Sequence, residues 1–254
     1  MHNDLLTIGP LTIHGYGLMI ALGILAAYSV AVYRAKRHQL EGDHISSLTI
    51  WCLMGGIFGA KLLYWLTQIN SIIQDPSLLL NFADGFVVYG GIIGGILAGY
   101  LYCRRTKLPF MQYFDLIIPS VALAQGFGRI GCFLAGCCYG LETSSWYGVV
   151  FPEDSFAPGG VALIPTQLIA SGLDFLLFFV LVLFARKKKV HGQVAALYLL
   201  LYSAGRFVLE FYRGDLIRGN VGALSTSQFI AIILFVISIG MLVISSKGQK
   251  LKTP

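Results

Sequence analysis

The chain has 254 residues, of which 56% are apolar and only 12% are charged. Soluble domains carry roughly 25% charged residues, so this composition excludes a protein with a water-facing surface over most of its area and indicates a lipid surrounding. The formal net charge of +6 is explained by the positions of the basic residues along the chain and does not require nucleic-acid binding.

The chain begins with "MHNDLLTIGPLTIHG", which lacks a basic stretch ahead of an apolar core, so we expect no cleavable signal peptide. Seven apolar segments follow, each long enough or nearly long enough to cross a hydrocarbon core of about 30 Å as a helix. The fourth is the weakest, because it carries Asp115 and Gln125. In chain order the segments are Tyr16–Tyr33, Ser46–Leu66, Phe86–Cys103, Phe110–Gly128, Pro165–Ala185, Val194–Tyr212 and Leu224–Ser245.

Helices are the expected form of these segments, because backbone polar groups in lipid need partners within their own segment. No internal repeat and no linker to a second domain is visible. The sequence therefore predicts an all-α integral membrane protein with seven transmembrane helices, built as a single domain over residues 1–254.

The basic residues predict the orientation of this bundle. Most of the eighteen lysines and arginines follow the first, third, fifth or seventh segment. Because such residues concentrate on the cytoplasmic side, we expect the N-terminus and a loop over about 129–164 outside, and the C-terminus in the cytoplasm. The residues are Arg34, Lys36, Arg37, Arg104, Arg105, Lys107, Arg186, Lys187, Lys188, Lys189, Lys247, Lys250 and Lys252.

The remaining basic residues lie within or near the outer half of the predicted bundle. A charge in lipid costs at least a few kcal/mol, so such residues usually face the bundle interior and mark function. An internal ion pair is one explanation, because Glu210 follows Arg206 by one helical turn; an anionic ligand that enters from the outer leaflet is the other. These residues are Lys61, Arg129, Arg206, Arg213 and Arg218.

Polar residues form stripes on two of the predicted helices. In the sixth segment Tyr202, Arg206, Glu210 and Arg213 are spaced as one helical face. A weaker stripe in the fifth segment consists of Gln167, Ser171 and Asp174. Both stripes indicate helix faces that avoid lipid.

The third segment contains "YGGIIGGILAG", with glycines at four-residue spacing. Small residues at this spacing are typical of close helix packing, which we expect for Gly94, Gly95 and Gly99. Tyr89, with Gly90 and Gly91, lies at the outer end, where we expect helix packing to matter less.

The stretch "GRIGCFLAGCCYG", residues 128–140, contains three of the five cysteines. A C-x₄-C-C spacing with no nearby histidine is a weak zinc pattern. A disulfide through Cys132 is open, because the loop faces outward, and so is a catalytic thiolate near Arg129. We favour small, soft packing residues that line a pocket.

Together these stretches resemble the prolipoprotein diacylglyceryl transferases of bacterial inner membranes. The resemblance covers nearly the whole chain. It implies transfer of the diacylglyceryl group of phosphatidylglycerol to the lipobox cysteine thiol of a prolipoprotein signal peptide, with release of glycerol-1-phosphate. It also implies contact with membrane lipids, a multi-pass inner-membrane location and no metal or organic cofactor. The matching stretches are "GPLTIHGYGLM", "YGGIIGG", "DLIIPSVALAQGFGRIGCF", "PTQL" and "GQVAALYLLLYSAGRFVLEFYR".

The resemblance also implies roles for individual residues, since an anionic phosphodiester suits the planar fork of arginine. Arg129 and Arg206 match the family's two functional arginines. The expected catalytic residues are Tyr89, Arg206, Tyr16 and Tyr202. The expected phosphatidylglycerol-binding residues are Arg129, Arg206, Gly128, Gly140, Gly90 and Gly91, and the expected supporting residues are Glu210, Cys132, Cys137, Lys61 and Gln167.

The chain departs from the family's pattern where the thiol has to be activated. Cys132, Ala135 and Cys137 replace two asparagines and a glutamate, Tyr89 replaces a histidine, and Ala170 replaces a further glutamate. We expect Tyr89 to take over hydrogen bonding or proton transfer, although phenols ordinarily lose a proton only near about pH 10. These departures leave two alternatives: a paralogue with another acceptor, or a non-catalytic lipid or signal-peptide binder. A transporter is a third, disfavoured by basic residues that gather near one face.

Overall fold

A computed structural model of the chain describes residues 4–8, 11–80, 85–153, 155–215 and 219–247. Helices make up most of these residues; one short antiparallel hairpin precedes the first helix and two more lie between later helices. Arg218, Lys250 and Lys252, which entered the charge pattern, lie outside the described residues. The helices are α1 Gly15–Arg37, α2 Gly42–Thr67, α3 Ile69–Gln74, α4 Val88–Arg105, α5 Phe110–Ala135, α6 Thr166–Ala185, α7 Gln193–Glu210 and α8 Thr226–Lys247. The hairpins are β1 Asp4–Ile8 with β2 Leu11–His14, β3 Val149–Val150 with β4 Ala162–Leu163, and β5 Asn220–Val221 with β6 Leu224–Ser225.

Five of the helices are long and apolar enough to cross a membrane: α1, α2, α5, α6 and α8. Large apolar side chains on them are open to the surroundings, as at Met54 and Val236, which are 65% and 62% exposed. Such a surface suits lipid contact, so the prediction of an all-α membrane protein is confirmed at this level. Seven crossings and the direction of the termini stay predictions.

The chain forms two compact units, the first over Met1–Ala31 with Phe114–Pro254 and the second over Val32–Tyr113. In the first unit, α5, α6 and α7 share a buried core that includes Ala122, Leu181 and Val194. The single-domain prediction over 1–254 is not tested by this division and stays a prediction.

Asp115, the acid that weakened the fourth predicted segment, is a structural residue in the first unit. Its carboxylate is fully buried and accepts hydrogen bonds from the backbone N–H groups of Gly192, at 2.8 Å, and Ala195, at 2.9 Å. Lys188 Nζ lies 3.1 Å away. A carboxylate at the amino end of a helix satisfies N–H groups that have no partner within the helix. Asp115 therefore anchors the start of α7 to α5.

In the second unit, α2 and α4 pack backbone to backbone through glycines. A Cβ atom at Gly90 would overlap the carbonyl oxygen of Gly59 and lie 2.6 Å from Leu63 Cβ. Gly94 meets the Gly55 carbonyl in the same way. The expectation that helix packing matters little at Gly90 is therefore wrong, because only a residue without a side chain permits this approach.

Two predicted boundaries also differ from the structure. α5 continues to Ala135 instead of ending at Gly128, so Arg129 is helical and the following loop starts at 136, not 129. Glycine at position 131 lets α1 pack closely against this stretch, since a Cβ atom there would lie 3.2 Å from the Tyr16 carbonyl oxygen, and this packing supports the helix. At the other boundary α7 ends at Glu210, so Arg213 lies beyond the helical stripe.

Candidate active site

A cavity of about 330 Å³ opens among α5, α6 and α7 in the first unit. Two guanidinium groups, one carboxylate and one phenol line it, and the rest of its wall is aliphatic. This division suits an amphiphile with an anionic head and apolar chains. The polar residues are Arg129, Asp174, Tyr202 and Arg206; the large aliphatic ones are Leu173, Leu176, Leu177, Val180, Leu201 and Leu209.

Arg129 points its charge into this cavity without a fixed partner. Among the described residues it makes no hydrogen bond and no ion pair, although Asp174 and Cys138 lie within electrostatic reach. The preceding Gly128 faces open space, since a Cβ atom there would meet nothing within 4 Å. An anion that enters the cavity can therefore approach Arg129 directly.

One nitrogen of the Arg206 guanidinium group is held by neighbouring side chains. Its Nη2 lies 2.8 Å from Glu210 Oε2 and donates to Ser227 Oγ at 3.1 Å. Ser225 Oγ in turn donates to Glu210 Oε1 at 2.9 Å. The predicted Arg206–Glu210 ion pair is confirmed. Both contacts of Arg206 use the same nitrogen, so within the described part of the chain its Nη1 and Nε remain available to a ligand.

Tyr202 lines the cavity beside the two arginines and is stacked on Tyr198, with ring centroids 5.5 Å apart. Tyr198 donates its hydroxyl hydrogen to Gln125 Oε1 at 2.8 Å. Gln125, the second polar residue of the fourth predicted segment, is therefore satisfied inside the protein. In the polar stripe predicted for α7, the side chains of Arg206 and Glu210 are 15% and 5% exposed, so they face the protein interior.

The cysteine stretch that follows Arg129 folds back on itself. The sulfur atoms of Cys132, Cys137 and Cys138 lie within 4.8 Å of one another, and all three are free thiols. The structure therefore does not contain the disulfide that the sequence left open. We call these three residues the thiol cluster.

Hydrogen bonds from α6 hold the thiol cluster by its backbone. Gln167 Nε2 donates to the Cys137 carbonyl at 2.8 Å, and Thr166 Oγ1 donates to the Cys138 carbonyl at 2.9 Å. Cys138 has a φ of 62°, a left-handed conformation that is uncommon for residues other than glycine. Gln167, expected to support the site, does so through this contact.

Gly140 joins the thiol cluster to the segment after α7. Its N–H donates to the Ile164 carbonyl at 2.9 Å, and a Cβ atom there would lie 2.5 Å from that same oxygen. Gly140 also forms a bridge with Arg213. This close packing alone explains why a glycine occupies position 140. The substrate-binding role expected for Gly140 therefore stays a prediction.

Arg213 brings positive charge to the thiol cluster. Its guanidinium is held by both carboxylate oxygens of Asp215, at 3.1 and 2.7 Å. The neighbouring thiols of Cys132 and Cys137, together with the positive charge of Arg213, lower the pKa of Cys138 below its usual range. The Cys132 and Cys138 thiols, together with burial, raise the pKa of Cys137.

A second cavity of about 330 Å³ adjoins the thiol cluster, lined in part by His14, Tyr16, Cys137 and Phe156. His14 Nδ1 lies 2.6 Å from Asp4 Oδ1 across the β1–β2 hairpin. Sequence reasoning found no histidine near the cysteines, because His14 lies more than a hundred positions away in the chain. Its position two residues before Tyr16 was the available signal.

Tyr89, Gly91 and Lys61 belong to the second unit, and their expected roles beside Arg129 stay predictions. Lys61 is 4% exposed, and its Nζ lies 5.0 Å from the Tyr64 ring centroid and 5.3 Å from that of Phe86. Stacking over aromatic rings stabilises a desolvated cation, so these rings contribute to holding the buried charge of Lys61.

Comparisons with known proteins identify the family of the chain. A sequence model of the family described as prolipoprotein diacylglyceryl transferase matches residues 3–244. The chain is 51% identical over 233 residues to the phosphatidylglycerol–prolipoprotein diacylglyceryl transferase of Clostridium tetani, covering 92% of each chain. It is 46% identical over 242 residues to the corresponding transferase 2 of Clostridium perfringens, covering 94% of each. The relative from Clostridioides difficile is 34% identical and covers 89% of this chain and 88% of its own.

Proposed function

Because the chain belongs to the prolipoprotein diacylglyceryl transferase family, we propose that it transfers the diacylglyceryl group of phosphatidylglycerol to the lipobox cysteine of prolipoproteins. The protein is a transferase of lipoprotein biosynthesis and a multi-pass membrane protein. The reaction forms a thioether and releases glycerol-1-phosphate.

The observation that carries this proposal is the aliphatic cavity with Arg129 and Arg206 at its polar end. A phosphodiester has one negative charge, and guanidinium groups bind phosphate oxygens through parallel N–H donors. With the phosphate on the two arginines, the aliphatic wall between α6 and α7 is suited to the acyl chains. Burial in this apolar surrounding strengthens both interactions, because the local dielectric constant is low.

The arginines also suit the chemical step. As the sulfur–carbon bond forms, the carbon–oxygen bond to the phosphate breaks, and the phosphate gains a second negative charge. Donors aimed at a charge that grows in the transition state lower the barrier more than donors that bind the substrate alone. Arg129 and Arg206 take this role, and Glu210 orients Arg206 through their ion pair at 2.8 Å.

We further propose that seven helices cross the bacterial inner membrane, with the N-terminus outside and the C-terminus in the cytoplasm. The alternation of basic residues along the chain supports this orientation. In it, Arg129 and Arg206 lie in the outer half of the membrane, where phosphatidylglycerol of the outer leaflet can enter between helices.

The test uses the purified full chain in lipid nanodiscs that contain phosphatidylglycerol, together with a synthetic lipobox peptide. Mass spectrometry should find the peptide heavier by one diacylglyceryl group, with an equal amount of glycerol-1-phosphate released. The same peptide with serine in place of its cysteine is the matched control and should stay unmodified. Absence of product with the cysteine peptide would refute the proposed function.

A further inference from the structure

The thiol cluster has the geometry of a metal site. Zn²⁺ binds thiolate sulfur at about 2.3 Å, which places the sulfurs of a tetrahedral site about 3.8 Å apart. The three sulfurs already lie within 4.8 Å of one another, so small rotations of the side chains are enough to reach this spacing. Carboxylates and imidazoles of the other described residues do not belong to the cluster.

We propose that Cys132, Cys137 and Cys138 bind one Zn²⁺ ion and leave its fourth position open for the thiol of the acceptor peptide. The assignment rests on the proposed function, because that function supplies the thiol. It replaces the packing role that the cysteine spacing alone favoured.

The backbone around the cluster is built as a support for ligands. Cys138 adopts a left-handed conformation, which costs a residue with a side chain about 1–2 kcal/mol. The carbonyl groups of Cys137 and Cys138 are fixed by Gln167 and Thr166, both 1% exposed. Hydrogen bonds of this kind around metal ligands hold them in their binding geometry.

The surrounding charges suit a thiolate-rich metal site. Three thiolates with one Zn²⁺ ion carry a net charge of −1. Arg213 lies within electrostatic reach of Cys138, and Arg129 lies within electrostatic reach of Cys132 and Cys138. These cations compensate the negative charge, so the site does not bury an uncompensated ion.

A cavity of suitable size for an acceptor thiol adjoins the cluster. Cys137 lines the cavity of about 330 Å³ that also contains Tyr16 and His14. Catalytic zinc sites typically use three protein ligands and keep the fourth position for substrate. Cys132 lies one helical turn after Arg129 on α5, so one helix carries both a ligand of the proposed site and an arginine of the lipid cavity.

Zinc binding would solve the problem of thiol activation. A thiol that coordinates a metal ion loses its proton outright, here to solvent, so no strong base is needed. The bound sulfur then donates an electron pair to the glycerol carbon next to the phosphate. The carbon–sulfur bond forms, the carbon–oxygen bond breaks, and its electron pair leaves on glycerol-1-phosphate. No electron is transferred to or from the metal, which suits the redox-inactive Zn²⁺ ion, and the neutral thioether is a weak ligand that dissociates.

The first experiment measures metal content without turnover. The full-length chain, without a histidine tag, is purified under reducing conditions, equilibrated with Zn²⁺ and passed through a desalting column. Elemental mass spectrometry should find about one zinc ion per chain in the natural protein and in Cys52→Ala, which changes a cysteine of the second unit. Cys132→Ala, Cys137→Ala and Cys138→Ala should each bind zinc at least about tenfold more weakly. Equal zinc in all variants, or none in the natural protein, would overturn the proposal.

Alkylation of the natural protein also tests zinc binding by the three cysteines, and it needs no variant that could misfold. Bound Zn²⁺ should protect the three cysteines of the cluster from iodoacetamide and leave the labelling of Cys52 unchanged. A disulfide within the cluster that persists under reducing conditions would overturn the site. Iodoacetamide labelling of the cluster that is the same with and without zinc would also overturn it.

Cobalt tests the open position. Co²⁺ in place of zinc should give a thiolate-to-metal absorption band, which should grow when the lipobox peptide is added and stay constant with its serine counterpart. No growth with the cysteine peptide would overturn the role in thiol activation.

The outcomes separate this proposal from the proposed function. Transfer by a chain that holds no zinc would refute the zinc site and leave the transferase intact. Zinc and peptide binding without any thioether product from phosphatidylglycerol would refute the transferase and leave the thiol site. If both hold, a strong zinc chelator should abolish turnover and added zinc should restore it. A large loss of turnover in Tyr89→Phe with full zinc content would return thiol activation to the tyrosine.

Discussion

Replacing Arg129 with lysine should separate phosphate binding from structural support. Arg129 lines the lipid cavity and makes no hydrogen bond or ion pair with another described residue. The substitution keeps the positive charge but removes the planar fork that can hold two phosphate oxygens. We therefore expect Arg129→Lys to insert and fold normally and to lose activity.

The size of the loss follows from the contact that disappears. A hydrogen bond to a charged group contributes about 1.5–3 kcal/mol. Loss of one of the two hydrogen bonds from the side chain at position 129 to the phosphate should therefore lower kcat/KM for phosphatidylglycerol roughly 10- to 150-fold. If the lost contact strengthens in the transition state, as the growing phosphate charge implies, kcat falls together with kcat/KM. The melting temperature should change little, since no partner in the described part of the protein is lost.

The assay compares initial rates in nanodiscs over a range of phosphatidylglycerol concentrations, with thermal unfolding measured on the same preparations. Arg105→Lys is the matched control, because Arg105 is exposed in the last turn of α4; its rates should equal those of the natural protein. Full activity in Arg129→Lys, or a loss of activity explained by a matching loss of stability, would refute the phosphate role.

Three further predictions concern topology and packing. In intact cells, a membrane-impermeant thiol reagent should label Glu153→Cys and leave Lys187→Cys unlabelled, in a background where the native cysteines are blocked, because the proposed topology places the two positions on opposite sides of the membrane. Asp115→Asn should lower the free energy of unfolding by roughly 2–4 kcal/mol, since an amide cannot replace a carboxylate that accepts from two backbone N–H groups and a lysine. Gly90→Ala should lower the free energy of unfolding by about 1–3 kcal/mol, because the added methyl group overlaps the α2 backbone. Gly91→Ala should lower it clearly less, because a Cβ atom there would have its nearest contact at 3.3 Å. Thermal unfolding measures the stability of all three variants.

Each of these predictions has a result that contradicts it. The opposite labelling pattern would invert the topology and with it the placement of the arginine cavity. Asp43→Asn, an exposed change in the first turn of α2, is the control for Asp115→Asn, and equal stability in both would show that the buried carboxylate contributes little. A stable but inactive Gly90→Ala would favour substrate contact over helix packing at that position.

The sequence anticipated those properties that depend on one segment at a time. Apolar run length predicted where helices lie, because the cost of placing a residue in lipid depends mostly on that residue itself. The Arg206–Glu210 pair was equally visible, since residues four apart lie on one helical face. Matching motifs along nearly the whole chain indicated the family, which the comparisons confirm.

Where local preference and packing disagree, the sequence was a weaker guide. The glycine-rich end of α5 looked like a loop, yet it stays helical beside α1, because tertiary packing overrides propensity. Gly90 looked free at a helix end, although the carbonyl of Gly59 lies against it. Such contacts join residues about thirty positions apart and leave no trace in the local pattern.

The sequence by itself determined a helical membrane protein of this family with two arginines available for an anion. Only the tertiary structure decided that three cysteines converge beside one of those arginines and that His14 lines the adjoining cavity. The physical reason is that convergence depends on long-range contacts, such as the hydrogen bond from Gln167 to the Cys137 carbonyl and the one from the Gly214 N–H to the Tyr139 carbonyl. The spacing of residues along the chain gives no information about such contacts. Hydropathy is a property of each residue by itself, so the membrane segments can be predicted directly from the sequence.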